Sequence, residues 1–208
     1  MRLFAAVTPP DNVLEHLETA MASVRGGQAS GLRWTLPEAR HITLAFYGEV
    51  PEGYLDDVVS ALDDVAAAHP SFEAALRGAG LFDGRTLWVG CSGDGWGQLM
   101  SAAGRVGTDL LGRAEDRRSR PHLTVARVAG RGRRTRGPTR GAGPDAVAAV
   151  AAVAPVAPAA LAHALALYTG PTWAVDEVAL MSSRLGAGPG GSPRYDVVHR
   201  SALAAVAG

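Results

Sequence analysis

The sequence predicts an α+β protein built from two pseudo-symmetric lobes that face each other across a cleft. Two observations carry that expectation. The order strand, helix, loop and then a strand beginning His-x-Thr occurs twice, first at HITLAFYGEV from His41 and again at PHLTVARV around His122. In both strands apolar residues alternate with polar ones, which gives one face to a core and leaves the other polar. A duplication giving two lobes about a pseudo-twofold axis is the simplest reading. No linker separates independent domains, so residues 1–208 are expected to form one unit.

The elements follow in chain order. Leu3 to Val7 reads as a short buried strand, stopped by Pro9-Pro10, and Asp11 opens a helix. Val13, Leu14, Leu17, Met21 and Val24 fall at helical spacing, so this helix is amphipathic and runs to about Gly26. After a Gly/Ser-rich loop and Trp34 comes the first His-x-Thr strand. A second helix follows Gly48, with Leu55, Val58, Val59, Leu62 and Val65 as its apolar stripe. The second repeat begins at the strand Thr86 to Cys91, broken by SGDGWG. Leu99, Ala102, Ala103, Val106, Leu110 and Leu111 then mark a helix ending near Gly112, and the second His-x-Thr strand follows. Residues 131–143 read as a turn-rich basic loop, and 145–153 as an Ala/Val helix. Trp173 to Met181 and Tyr195 to Leu203 close the chain as two strands, joined by GAGPGGSP.

Composition narrows the function classes. The 20 basic residues balance 20 acidic ones, so no global field draws the chain to polyanions or membranes. All the basic residues are Arg, which signals codon bias from a GC-rich genome and lowers the weight of arginine counts. That discount applies to the five arginines within 131–140, which read better as a solvated loop than as an RNA track. The single cysteine, Cys91, excludes an internal disulfide and a cysteine metal cluster. With no run long enough to span a membrane and no secretory signal, a cytoplasmic monomer is expected.

The polar faces carry the chemistry. Residues i and i+2 of a strand share a face, so His41 points with Thr43 and His122 with Thr124. Ile42, Leu44 and Phe46 are expected in the core, as are Leu123 and Val125. Two imidazoles flanking one site suit a reaction that removes one proton and donates another near neutral pH. In-line displacement at phosphorus has that demand, and threonine hydroxyls can donate to its non-bridging oxygens. Arg127 can add a charge-assisted pair. Strict alternation places Arg127 on the face opposite His122, so its participation requires a bend or bulge near Ala126. His16, His69, His163 and His199 lie outside the repeated motif and are assigned no role. No carboxylate or third histidine stands at metal-ligand spacing from either motif, so a metallohydrolase is disfavoured.

HITLAF and PHLTVAR resemble the paired H-x-T motifs of the two-histidine phosphoesterases, most closely the LigT-like RNA 2',3'-cyclic phosphodiesterases. The resemblance extends through MRLFAAV, RWTLPEARHITLAFYGEV, GRTLWVG, RPHLTVARV, and VDEVALMSSRLG followed by YDVV. It implies a bilobal α+β fold with antiparallel sheets flanking a central cleft, helices outside, and no required metal or cofactor. It also implies hydrolysis of a 2',3'-cyclic phosphate on RNA or a nucleotide to a 2'-phosphate. Carried over, His41 would be the general acid on the departing 3'-oxygen and His122 the base on water. Thr43, Thr124 and Arg127 would hold the phosphate. One departure is Ser119, where the resemblance leads one to expect an aromatic. Two rivals stand beside this reading: a catalytically silent protein that binds RNA ends, and an enzyme acting on 2'-5' linkages.

Overall fold

The computed structural model describes residues 1–25, 31–113, 120–128 and 157–205. The basic loop at 131–140, the Ala/Val helix expected at 145–153, and Ser119 lie outside them.

The chain runs β1 (Arg2–Val7), α1 (Asp11–Arg25), β2 (Leu32–Trp34), β3 (Ile42–Glu49), α2 (Leu55–Ala67), β4 (Phe72–Phe82), β5 (Thr86–Ser92), α3 (Trp96–Leu111), β6 (His122–Val128), α4 (Pro158–Ala164), β7 (Thr169–Val175), β8 (Glu177–Arg184) and β9 (Arg194–Ala202). The helices expected from periodicity form where their stripes lie. Val13, Leu17 and Met21 of α1, Val58 and Leu62 of α2, and Leu99 and Ala103 of α3 are all buried. α3 stops at Gly112, which takes the left-handed conformation (φ 63°) that ends helices cheaply only for glycine.

The two expected sheets are halves of one. Strand order is β7-β4-β5-β6-β3-β1-β8-β9, with β2 paired to β6, and the strand ladders are antiparallel. The halves β3-β1-β8-β9 and β7-β4-β5-β6 join at a seam where β3 meets β6 through a single registered pair, Ile42 with Leu123. The helices cover one face of the sheet and cross between its halves. α1 follows β1 yet packs against β7, and α3 follows β5 yet packs against β3, while α2 lies on β8 and β9 and α4 on β4 and β5. One apolar core fills the space beneath them, with Ile42, Leu62, Leu87 and Leu123 fully buried. The other face is concave and forms the cleft. No helix among the described residues is long and apolar enough to cross a membrane.

Two strand expectations need correction. The run Trp173 to Met181 is not one strand: β7 ends at Val175, Asp176 intervenes, and β8 begins at Glu177 in the other half of the sheet. Two apolar runs lie close together on either side of Asp176-Glu177, so the sequence reads as one strand where the chain crosses between half-sheets. The 11-residue β4 escapes sequence reading because FEAALRGAGLF is rich in Ala and Gly, which carry little strand propensity. Its Gly80 has a packing reason, since a Cβ there would lie 2.4 Å from Cζ2 of Trp88 on β5.

Candidate active site

The site forms at the seam. Ile42 and Leu123, the residues between each histidine and its threonine, are the pair that joins the two half-sheets and are buried on the helix side. Alternation about that pair turns His41, Thr43, His122 and Thr124 to the concave face, where all four line the cleft. The antiparallel register directs His41 towards Thr124 and Thr43 towards His122. His16, His69, His163 and His199 do not line it.

Both histidines are held in the same way. His41 Nδ1 lies 3.0 Å from the carbonyl oxygen of Ala39, and His122 Nδ1 lies 2.7 Å from that of Arg120, in each case two residues upstream. A carbonyl oxygen only accepts, so each Nδ1–H donates and the neutral ring keeps its lone pair on Nε2. Each imidazole is also walled by two aromatic rings. Phe4 (4.8 Å between centroids) and the edge-on Tyr195 (5.0 Å, 84°) flank His41. Phe82 (4.9 Å, 82°) and Trp88 (6.3 Å) flank His122. Phe4 and Trp88 come from β1 and β5, the strands in equivalent positions of the two halves.

Each His-x-Thr strand then departs from alternation at the same offset. In β3, Thr43 pairs with Ala6 and Ala45 with Ala5, leaving Leu44 without a partner on β1. In β6, Thr124 pairs with Trp88 and Ala126 with Leu87, leaving Val125 without a partner on β5. These are β-bulges, one extra residue that reverses the facing of everything after it. Leu44 and Ala45 therefore both pack towards the core, as do Val125 and Ala126. The bulge in β6 brings Arg127 onto the cleft face, meeting the condition that alternation set for it. The bulge in β3 overturns the core placement of Phe46. It stands 67% exposed on the cleft face, with its ring 5.7 Å from Phe4.

Burial pushes the His41 imidazole down to about 4, helped by the nearby His122 and Arg127 and opposed by its bond to Ala39. Burial also raises the Tyr195 phenol, against the pull of Arg127 and Arg2. Arg40, just before His41, is buried on the core side. There it forms an ion pair with Glu18 of α1 and donates to the Thr35 carbonyl at 3.1 Å. Glu18 also holds Arg25 at 2.7 Å, and Arg25 lies 4.3 Å over the Trp34 ring. Desolvation lowers the Arg40 pKa in spite of Glu18. Nothing in the sequence distinguishes this buried arginine from its exposed neighbours.

The cleft has a volume of about 2050 Å³, more than the roughly 300–1,000 Å³ of a typical small-ligand pocket. Arg2, Arg33, Arg113, Arg120, Arg127 and Arg194 line it, against Glu38, Asp83 and Asp196. Asp196 is already paired with Arg184 and Arg194. A chain with no net charge thus concentrates positive charge in its cleft, a local field that favours anions. Among the described residues, no three His, Cys, Asp or Glu side chains are grouped to hold a metal ion.

Residues 7–88 match the family model of the LigT like Phosphoesterase. The chain is 34% identical to an RNA 2',3'-cyclic phosphodiesterase of Archaeoglobus fulgidus, over 62% of this chain and 73% of that protein. It is 32% identical to one of Thermus thermophilus, over 61% of this chain and 68% of that protein. A crystal structure of a Thermus thermophilus protein superposes with a TM-score of 0.72 at 28% identity, covering all of both chains. The apo structure of Escherichia coli LigT shares the fold, with a TM-score of 0.66 at 22% identity over 98% of this chain and 97% of that one.

Proposed function

Because the chain belongs to the LigT-like phosphoesterase family, we propose that it hydrolyses 2',3'-cyclic phosphates at RNA ends or on nucleotides to 2'-phosphates, using two histidines and no metal. The observation that carries this reading is the pair of imidazoles at the seam, each with Nδ1 tied to a backbone carbonyl and Nε2 left for the cleft. A phosphate between them meets one proton acceptor and one proton donor on opposite sides, as in-line displacement requires.

In the proposed reaction His122 Nε2 takes a proton from water as its oxygen bonds to phosphorus. The bond from phosphorus to the 3'-oxygen breaks, and His41 Nε2–H delivers a proton to that oxygen. The products are a 2'-phosphate and a free 3'-hydroxyl. Thr43, Thr124 and Arg127 donate to the non-bridging oxygens, where charge builds in the transition state. The exposed ring of Phe46 offers a platform on which the substrate base stacks. Burial makes the charged form of His41 costly, so its role as acid depends on the substrate. An anionic phosphate beside the ring favours imidazolium and raises its pKa on binding. The chain is taken to work as one catalytic unit, as a cytoplasmic monomer.

The test is incubation with nucleoside 2',3'-cyclic phosphates and with a cyclic-phosphate-ended oligoribonucleotide in EDTA, followed by identification of the product. A 2'-phosphate with EDTA present supports the reading. Binding without turnover would leave only a silent RNA-end-binding protein, and activity abolished by EDTA would point to a metal.

A further inference from the structure

β2 sets Arg33 directly opposite Arg127 of β6. Leu32, Trp34 and Ala126 pack towards the core, so both guanidinium groups are carried on the cleft face, and both residues line the cavity. Like charges directly opposite in an antiparallel pair repel. Among the described residues, neither arginine makes an ion pair with a carboxylate. A pair of cations kept in register, open to a cleft and unrelieved by any acid among the described residues is a place for an anion.

Its position says which anion. β5 occupies one edge of β6 along its length, so β3 and β2 share the other edge, β3 meeting it at Leu123 and β2 from Ala126 to Val128. Arg127 lies four positions beyond Leu123, on the order of 10–13 Å along the strand. Arg127 still acts on the proton of His41, lowering its pKa, so its charge reaches the phosphate position between the histidines. Arg33, one strand across from Arg127 and on β2 rather than β3, stands beyond that position towards the end of the cleft. A 2',3'-cyclic phosphate carries a single negative charge, which Arg127 alone matches.

We propose that Arg33 binds the phosphodiester immediately upstream of the terminal cyclic phosphate, so that the cleft reads an RNA end in preference to a free cyclic nucleotide. This subsite rests on the hydrolytic reading given above. It makes Arg33 a specificity residue that senses the substrate one nucleotide away from the reacting atoms, with Arg127 lying between the two phosphates.

The experiment compares kcat/KM for three substrates: a nucleoside 2',3'-cyclic phosphate, a dinucleotide ending in a 2',3'-cyclic phosphate, and the same dinucleotide with an uncharged methylphosphonate as its internal linkage. The wild-type protein should favour the charged dinucleotide over the mononucleotide by about 10-fold or more, the size expected of a charge-assisted contact. It should lose that preference with the methylphosphonate. Arg33→Gln should reduce the ratio of dinucleotide to mononucleotide kcat/KM towards one, and Arg33→Lys should keep part of it. Arg33 is exposed, and an unchanged melting temperature will show that the variants fold. Wild-type indifference to the methylphosphonate would overturn the subsite, as would an Arg33→Gln loss of equal size on mononucleotide and dinucleotide. A wild-type protein that opens none of the three substrates refutes the hydrolytic reading itself, and the subsite with it.

Discussion

The two half-sites, HITLAF in β3 and HLTVAR in β6, are the same construction with different endings. Each has a histidine pinned through Nδ1 to the carbonyl two residues upstream, a threonine two positions on, and a bulge at the residue after it. Each then returns its sixth residue to the cleft face. In one half that residue is Phe46 and in the other Arg127. In the proposed reaction the shared part supplies two proton-transfer groups on opposite sides of one phosphate. The residue that differs gives each side its own chemistry, and we propose that the aromatic ring takes a base and the guanidinium a negative charge. The two strands thus share their geometry up to the bulge and differ in the side chain they return to the cleft at one offset.

A second difference lies behind the histidines. His41 is preceded by Arg40, buried and paired to Glu18 on α1. His122 is preceded by Pro121, with exposed Arg120 before it. The first half-site is therefore anchored through an ion pair to a helix that also packs against β7 of the opposite half-sheet.

Removing either histidine should have the largest effect. His41→Ala and His122→Ala should each lower kcat by at least ~10² on any cyclic phosphate, because each half supplies one of the two proton transfers. Steady-state rates of the two variants check this, and a retained rate in either would remove that residue from the chemistry. Next, Arg127→Gln should reduce kcat/KM by about 10² whether or not the substrate carries a base, since its contact is with the phosphate. Substitutions behind the histidines should separate the halves in stability. Arg40→Ala should destabilise the protein by about 2 kcal/mol by removing a buried side chain and its pair with the partly exposed Glu18, whereas Arg120→Ala should change stability by less than about 0.5 kcal/mol. Urea denaturation of both variants measures the contrast. The smallest effect is expected at Phe46. Phe46→Ala should lower kcat/KM by about 10-fold on nucleoside cyclic phosphates, through lost stacking. It should leave a base-free substrate such as glycerol cyclic phosphate unaffected. An equal loss on both would show that the ring supports the site and does not read the base.

Much of this was legible in the chain because the signal was local. Repetition of His-x-Thr located both half-sites, and alternation correctly turned His41 and Thr43 to the cleft and Ile42 and Leu44 to the core. Alternation failed one residue later because a bulge is defined against a partner strand, which the strand's own sequence does not contain. The trace it left is two consecutive apolar residues at the same offset, Leu44-Ala45 and Val125-Ala126. Read together, they place Phe46 and Arg127 on one footing. Arg33, Tyr195 and the aromatic walls depend on which strands become neighbours. β2 is three residues long, and β9 reaches His41 only through the crossing at Asp176. Arg40 was invisible for the opposite reason, as its burial follows from how α1 docks and not from its own surroundings in sequence.

In the proposed mechanism a phosphate binds between Nε2 of His41 and Nε2 of His122. Nuclear magnetic resonance titration of the two imidazoles, in the free protein and with a nucleoside 2'-phosphate bound, tests it most directly. In the free protein His41 should titrate at about 4. The bound anion should move the His41 titration to higher pH, because negative charge beside the ring stabilises imidazolium, and should shift the ring resonances of His122. If the nucleotide binds and neither imidazole shifts, or only one does, the phosphate does not lie between them and the two-histidine account is wrong.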